Sequence, residues 1–165
     1  MGTRWIEGNA EDVIVVDDTH FPVVVSTWIG APTERAVRGY FAWLHELLPR
    51  AIREGTPLVN VTDSGLAGLP SGDVRRLIAD LTVEWERSGA DKQAVSSFVV
   101  VESAVMRGAL RALAWLHGDM KTTQFATCEE ALEAAIQVLA RARRPAPPLL
   151  VPSRWHRPMR SPRSR

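Results

Sequence analysis

The sequence predicts an α/β fold: a single domain over residues 1–142 with a mixed, mostly parallel β-sheet and about four helices, then a flexible Pro/Arg-rich tail over 143–165. Three observations predict it. β-Branched runs alternate with segments whose apolar residues recur every three or four positions, the periodicities of strand and helix. Most of the strands are separated by a helical segment, the arrangement that joins parallel strands by crossovers. From Pro145 onward, prolines recur too closely for a helix or a central strand.

The elements follow in order. Arg4–Glu7 is long enough for a short strand. Val13–Asp17 and Pro22–Ile29 are β-branched runs separated by Asp18-Thr-His-Phe, which predicts an antiparallel pair. Gly30-Ala-Pro-Thr-Glu supplies a helix start, after which Ala36, Tyr40, Trp43, Leu44, Leu47 and Leu48 share one helical face. Pro49 kinks that helix or ends it before a last turn through Ile52, and Gly55 stops it. Leu58–Val61 reads as a strand, Ser71–Trp85 as a helix with Val74, Leu77, Ile78 and Leu81 inward, and Val95–Val101 as a strongly apolar strand. A helix over Ser103–His117, ended by Gly118, precedes a short strand at Thr122–Ala126. Thr127-Cys-Glu-Glu130 is a capping box for a last helix through Leu132, Ile136 and Leu139.

Composition excludes several classes. The 165 residues suffice to bury a core without staples, and 45% hydrophobic with 24% charged residues is ordinary for a globular domain. Cys128 is the only cysteine, so neither an intramolecular disulfide nor a multi-thiolate zinc site can form. No run approaches the roughly 20 apolar residues of a membrane span, and the N-terminus lacks a basic region followed by an apolar one. A reducing, cytoplasmic setting is the expectation.

The net charge of +1 hides a segregation: residues 1–133 hold all 19 acidic residues against 12 basic ones, whereas the remainder holds eight arginines and no acid. The basic tail therefore reads either as a docking arm for an anionic surface, through Arg154, Trp155, Arg157 and Arg160, or as a solubilising segment that touches its own acidic body.

The most informative stretch is Pro57–Val74, which reads as strand, loop and helix start with a serine where the helix begins. The free N–H groups of a first helical turn and the dipole favour an anion there. Ser71 is the serine best placed; the alternative reading is that it simply caps its helix, contributing about 1 kcal/mol. Asp63 and the cations Arg75 and Arg76 flank the same stretch and are candidates for partner or anion binding.

This order of elements, with the strands Leu58-Val-Asn-Val and Ser97-Phe-Val-Val-Val, the helix opening near Ser71 and the closing Phe125-Ala-Thr-Cys-Glu-Glu-Ala-Leu132, resembles the STAS domain of anti-sigma-factor antagonists and sulfate transporters. Within that fold it is most similar to the SpoIIAA-like and STAS/SEC14-like group, over residues 10–142. The resemblance implies a protein-interaction module with a serine, set in an Asp-Ser-Ser/Thr-Gly signature, that a partner kinase phosphorylates to switch off binding. The chain departs from that signature. Asp63-Ser64-Gly65 is followed by the loop-like Leu-Ala-Gly-Leu-Pro, and Pro70-Ser71-Gly72-Asp73 lacks the preceding aspartate. Ser71 is therefore the first candidate for phosphorylation and Ser64 the second.

Ser103, Arg107 and Arg111 share a helical face after the most apolar strand, near the carboxyl ends of the strands, and could accept an anion or remain a solvated stripe. Trp28, Trp43, Trp85 and Trp115 fit the core. Trp5 and Trp155 lie in terminal segments. Catalysis finds no support: Gly68-Leu-Pro-Ser71-Gly72 lacks the spacing of a nucleophile elbow, Lys92 and Lys121 are far from any glycine-rich loop, and the four histidines have no metal-ligand spacing. The expectation is a regulatory protein-interaction module without catalytic residue, metal or cofactor, with another protein as partner or a second copy. A small-ligand or lipid-binding domain, and assembly or nucleic-acid association through the tail, are the alternatives.

Overall fold

A computed structural model describes residues 2–8, 12–90, 95–103 and 122–158, organised on one six-stranded sheet in the order β1-β2-β3-β4-β5-β6. β1 (Thr3–Glu7), β2 (Val13–Asp17) and β3 (Val23–Gly30) form an antiparallel meander. β3, β4 (Leu58–Ala67), β5 (Val95–Val100) and β6 (Thr123–Phe125) run parallel. The sheet is thus mixed and mostly parallel, as the alternation of elements predicts.

Three helices lie among the described residues: α1 (Glu34–Glu54), α2 (Gly72–Ala90) and α3 (Cys128–Arg141). Thr33 caps α1 by accepting the Ala36 N–H, and its own hydroxyl and N–H both donate to the buried Asp12 carboxylate at 3.0 Å. Pro49 neither ends nor divides α1, which continues to Glu54 and closes on Gly55 at φ 60°, in the left-handed conformation glycine adopts without a Cβ penalty. The capping box is present as read: Thr127 accepts from Glu130 N–H, and the Glu130 carboxylate accepts from Thr127 N–H. The expected helix over Ser103–His117, with Trp115, falls almost entirely outside the described residues.

Strand alternation divides the core in two. Ile14, Val16, Val24, Trp28 and Leu58 pack beneath α1 and α2 with Tyr40, Trp43, Leu44 and Trp85. Val23, Val25, Val59, Val61, Phe98 and Val100 pack beneath α3 with Leu132, Ala135 and Leu139. Trp28, Trp43 and Trp85 are core residues as expected, whereas Trp5 is 43% exposed on the edge strand.

Two readings need correction. β4 does not stop at Val61; it pairs with both β3 and β5 as far as Asp63 and with β3 alone at Leu66 and Ala67, and this pairing overrides the turn-forming character of Asp63-Ser64-Gly65. The register shifts between Thr27 and Ile29, so that Ser64 and Gly65 together face Trp28 in a bulge. Residues 143–158 are also placed on the domain instead of forming a free arm. Leu150 is buried, Trp155 packs against the α3 side of the core, and Pro152–Arg154 form a single 3-10 turn. The apolar residues embedded in the proline-rich sequence are the physical reason.

Candidate functional site

The carboxyl end of the β4–β5 ladder, at Asp63 and Val100, meets the chain's returning segment. Asp63 continues the alternation of Val59 and Val61, so its side chain enters the α3 face of the sheet, where it has no exposed surface. Its carboxylate accepts three hydrogen bonds: from Arg157 Nε at 2.6 Å, from Arg157 Nη2 at 2.9 Å and from the Gly65 N–H at 3.0 Å. Arg157 Nη2 also donates to Glu102 Oε1 at 2.6 Å, just beyond the end of β5. The guanidinium therefore bridges Asp63 of β4 and Glu102 beyond β5, meeting Asp63 in the forked geometry that suits carboxylates.

Electrostatics follow from this contact. The hydrogen bonds to Asp63 hold the Arg157 guanidinium still more firmly protonated than an ordinary arginine, against the opposing effect of burial, with Glu102 adding to them. Cys128, at the start of α3 below the pair, has its thiol pushed up to about 12, by burial first and by the Asp63 charge second. It is a packed thiol and not a nucleophile. Gly65 completes the arrangement: a Cβ there would overlap the Arg157 guanidinium and lie 2.7 Å from Glu102 Oε1.

Ser64 lies within β4 and donates its hydroxyl to the Val100 carbonyl at 2.5 Å, which ties it to β5. Ser71 is exposed and accepts the Val74 N–H at 3.3 Å, capping α2. Arg75 and Arg76 are exposed on the first turns, and a Cβ at Gly72 would lie 3.9 Å from Arg75 Nη2, so that guanidinium lies near the helix start. Leu69, between β4 and α2, is 70% exposed, and Leu66, near the end of β4, is 38% exposed.

The other candidates divide. Ser103 is exposed beyond β5, while Arg107, Arg111 and Arg160 lie outside the described residues. Arg154 is exposed on the 3-10 turn, and Trp155, half-buried, serves the fold. Asp63 and Arg157, singled out separately in the sequence as anion-site and docking residues, are brought together as each other's partner. Glu102 is not singled out by the sequence, and nothing in it ties Gly65 or Cys128 to Arg157, whose contact with Asp63 joins positions 94 residues apart.

On the opposite face, beneath α1, Asn60 Nδ2 donates to the Tyr40 hydroxyl at 2.7 Å, and that hydroxyl lies 3.0 Å from Thr62 Oγ1. Burial raises the Tyr40 pKa, keeping the phenol neutral. Among the described residues no cluster of His, Cys, Asp and Glu could hold a metal ion, and no helix is long and apolar enough to cross a membrane. No family model matches the chain, and no curated protein is significantly similar to it.

Proposed function

We propose that this protein is a cytoplasmic regulatory interaction module, similar to the STAS domains of anti-sigma-factor antagonists, whose partner docks on the β4–α2 connection and is released by phosphorylation of Ser71. One observation carries the reading: the end of β4 and the connection after it present exposed Leu66 and Leu69 beside an exposed serine that caps a long helix. The two leucines supply apolar area for a partner, and a phosphate on Ser71 would meet the positive end of α2 and the Arg75 guanidinium. The added charge then opposes an acidic partner and rebuilds the local surface.

The test is capture from extract of the native cell with wild type, Ser71→Ala, Ser71→Glu and Leu69→Asp. The reading expects one protein to be retained by wild type and Ser71→Ala and lost from the other two. Equal retention by Ser71→Ala and Ser71→Glu overturns it.

A second reading, a small-ligand or lipid-binding domain of the STAS/SEC14-like kind, draws support from Asn60 Oδ1 and Ser97 Oγ. These are buried atoms of register partners on β4 and β5 with no hydrogen-bond partner. Nucleic-acid association through the tail draws less, because Arg144 donates to the Gly55 carbonyl and Arg157 to Asp63, leaving both committed within the chain.

A further inference from the structure

We infer that Asp63, Gly65 and Glu102 form a guanidinium-binding socket that Arg157 fills in cis, making residues 143–158 a strap that an arginine-bearing, proline-flanked segment of a partner protein displaces. The inference is independent of Ser71 and of its phosphorylation. It rests on three features.

The first is selectivity. A carboxylate with no exposed surface accepts both arms of the fork, and a second carboxylate receives Nη2 from the side, a pattern that an ammonium group cannot reproduce. Gly65 leaves the space a planar guanidinium needs, since a side chain there would overlap it.

The second is how the strap is held. Beyond Arg144, the backbone hydrogen bonds of the described segment are local: Leu150 to Pro147, Arg154 to Val151 and Trp155 to Pro152. No backbone hydrogen bond joins it to the sheet among the described residues. Side chains hold it: the Arg144 contact to Gly55 O, the packing of Leu150 and Trp155, and the Arg157 fork. Leu149 and Val151 meanwhile remain exposed at 75% and 39%. A segment attached in this way can leave without breaking the sheet.

The third is position. Arg157 meets the sheet where the β4–β5 ladder ends, at Asp63 and Val100, and the carboxyl edge of parallel strands is where open α/β sheets place their ligands. Simple opening would strand a buried carboxylate without its cation, which is costly. Release is therefore an exchange of one guanidinium for another. The occupant's chemistry is given by the segment already seated there, Ser153-Arg-Trp-His-Arg157-Pro158.

The probe is a labelled peptide of sequence Val151–Pro158, titrated by fluorescence anisotropy against the full chain as wild type, Arg157→Ala and Asp63→Asn/Arg157→Ala. In wild type the tethered strap competes at high effective concentration. The expectation is binding to Arg157→Ala at least tenfold tighter than to wild type, lost in the Asp63→Asn double variant and lost when the peptide's own final arginine is replaced by lysine. Equal affinity for wild type and Arg157→Ala overturns the strap; indifference to Asp63→Asn or to the lysine peptide overturns the socket. If Arg157→Ala does not fold, Arg157→Lys, which retains the charge without the fork, replaces it in the same titration with the same expected order.

Discussion

Arg157 reaches back across 94 positions to place both Nε and Nη2 on the carboxylate of Asp63, at 2.6 and 2.9 Å. The acid is wholly buried and the base a quarter exposed, so the pair is anchored on its acidic side. Removing one partner leaves an uncompensated charge in the core. Arg157→Ala should therefore lower the unfolding free energy by about 3–5 kcal/mol, measured by urea denaturation. A loss below about 1 kcal/mol would place the pair with ordinary surface ion pairs.

Gly65→Ala tests the same contact from the backbone side. The new methyl group overlaps the guanidinium, so Arg157 must leave its seat. The variant should be destabilised nearly as much as Arg157→Ala, and the double variant little more than either alone, a strongly non-additive cycle. Additive losses would show that the methyl group acts on something else.

Cys128 gives a pH prediction. Its ordinary thiol value of 9.0 rises to about 12 in the folded chain, chiefly through burial. The folded state thus holds its proton where the unfolded state has released it. Stability is fully present below pH 9 and declines as pH rises from about 9 toward 12. Cys128→Ala should flatten that part of the profile in alkaline denaturation, and at pH 8 the wild-type thiol should react with iodoacetamide only as fast as the chain opens.

Variants of Ser71 separate its capping role from the proposed phosphorylation switch. Ser71→Ala removes the acceptor for Val74 N–H and should cost about 1 kcal/mol, while Ser71→Asp keeps a capping oxygen and should stay close to wild type in thermal unfolding. Partner capture should move the opposite way, retained by alanine and lost with aspartate. The same rank order in both measurements would reduce Ser71 to its cap.

Tyr40→Phe removes the hydroxyl that receives Asn60 Nδ2 and lies against Thr62 Oγ1. The loss should be about 1–3 kcal/mol, since the Asn60 amide is left buried with an unpaired donor. Asn60 Nδ2 lies 3.5 Å from Thr62 Oγ1, too far to replace the lost bond in full.

Much of the frame was legible in the chain because its signals are local. The β2–β3 pair follows from two β-branched runs, α3 from Thr127 and Glu130, and the end of α1 from Gly55. Where neighbours in space decide, local signals mislead. Asp63-Ser64-Gly65 has the composition of a turn yet stays within a strand, because β3 pairs with Asp63 before it and with Leu66 and Ala67 after it, leaving Ser64 and Gly65 as a bulge. Pro49 carries a helix-breaking signal, but α1 carries on to Glu54 around it. The tail reads as unstructured from its prolines and arginines, and only Leu150 and Trp155 hint at packing. At the site, Asp63, Arg157 and Ser71 each stand out as residues, but no periodicity links Asp63 to Arg157.

The strap also has a kinetic meaning. A contact closing so long a stretch of chain gains little until the sheet that carries Asp63 exists, so the fork forms late. Interactions absent from the folding transition state leave the rate of folding nearly unchanged and slow unfolding instead. Arg157→Ala should therefore shorten the lifetime of the folded domain while leaving its folding rate nearly unchanged, and an exchange that draws Arg157 away would act in the same way.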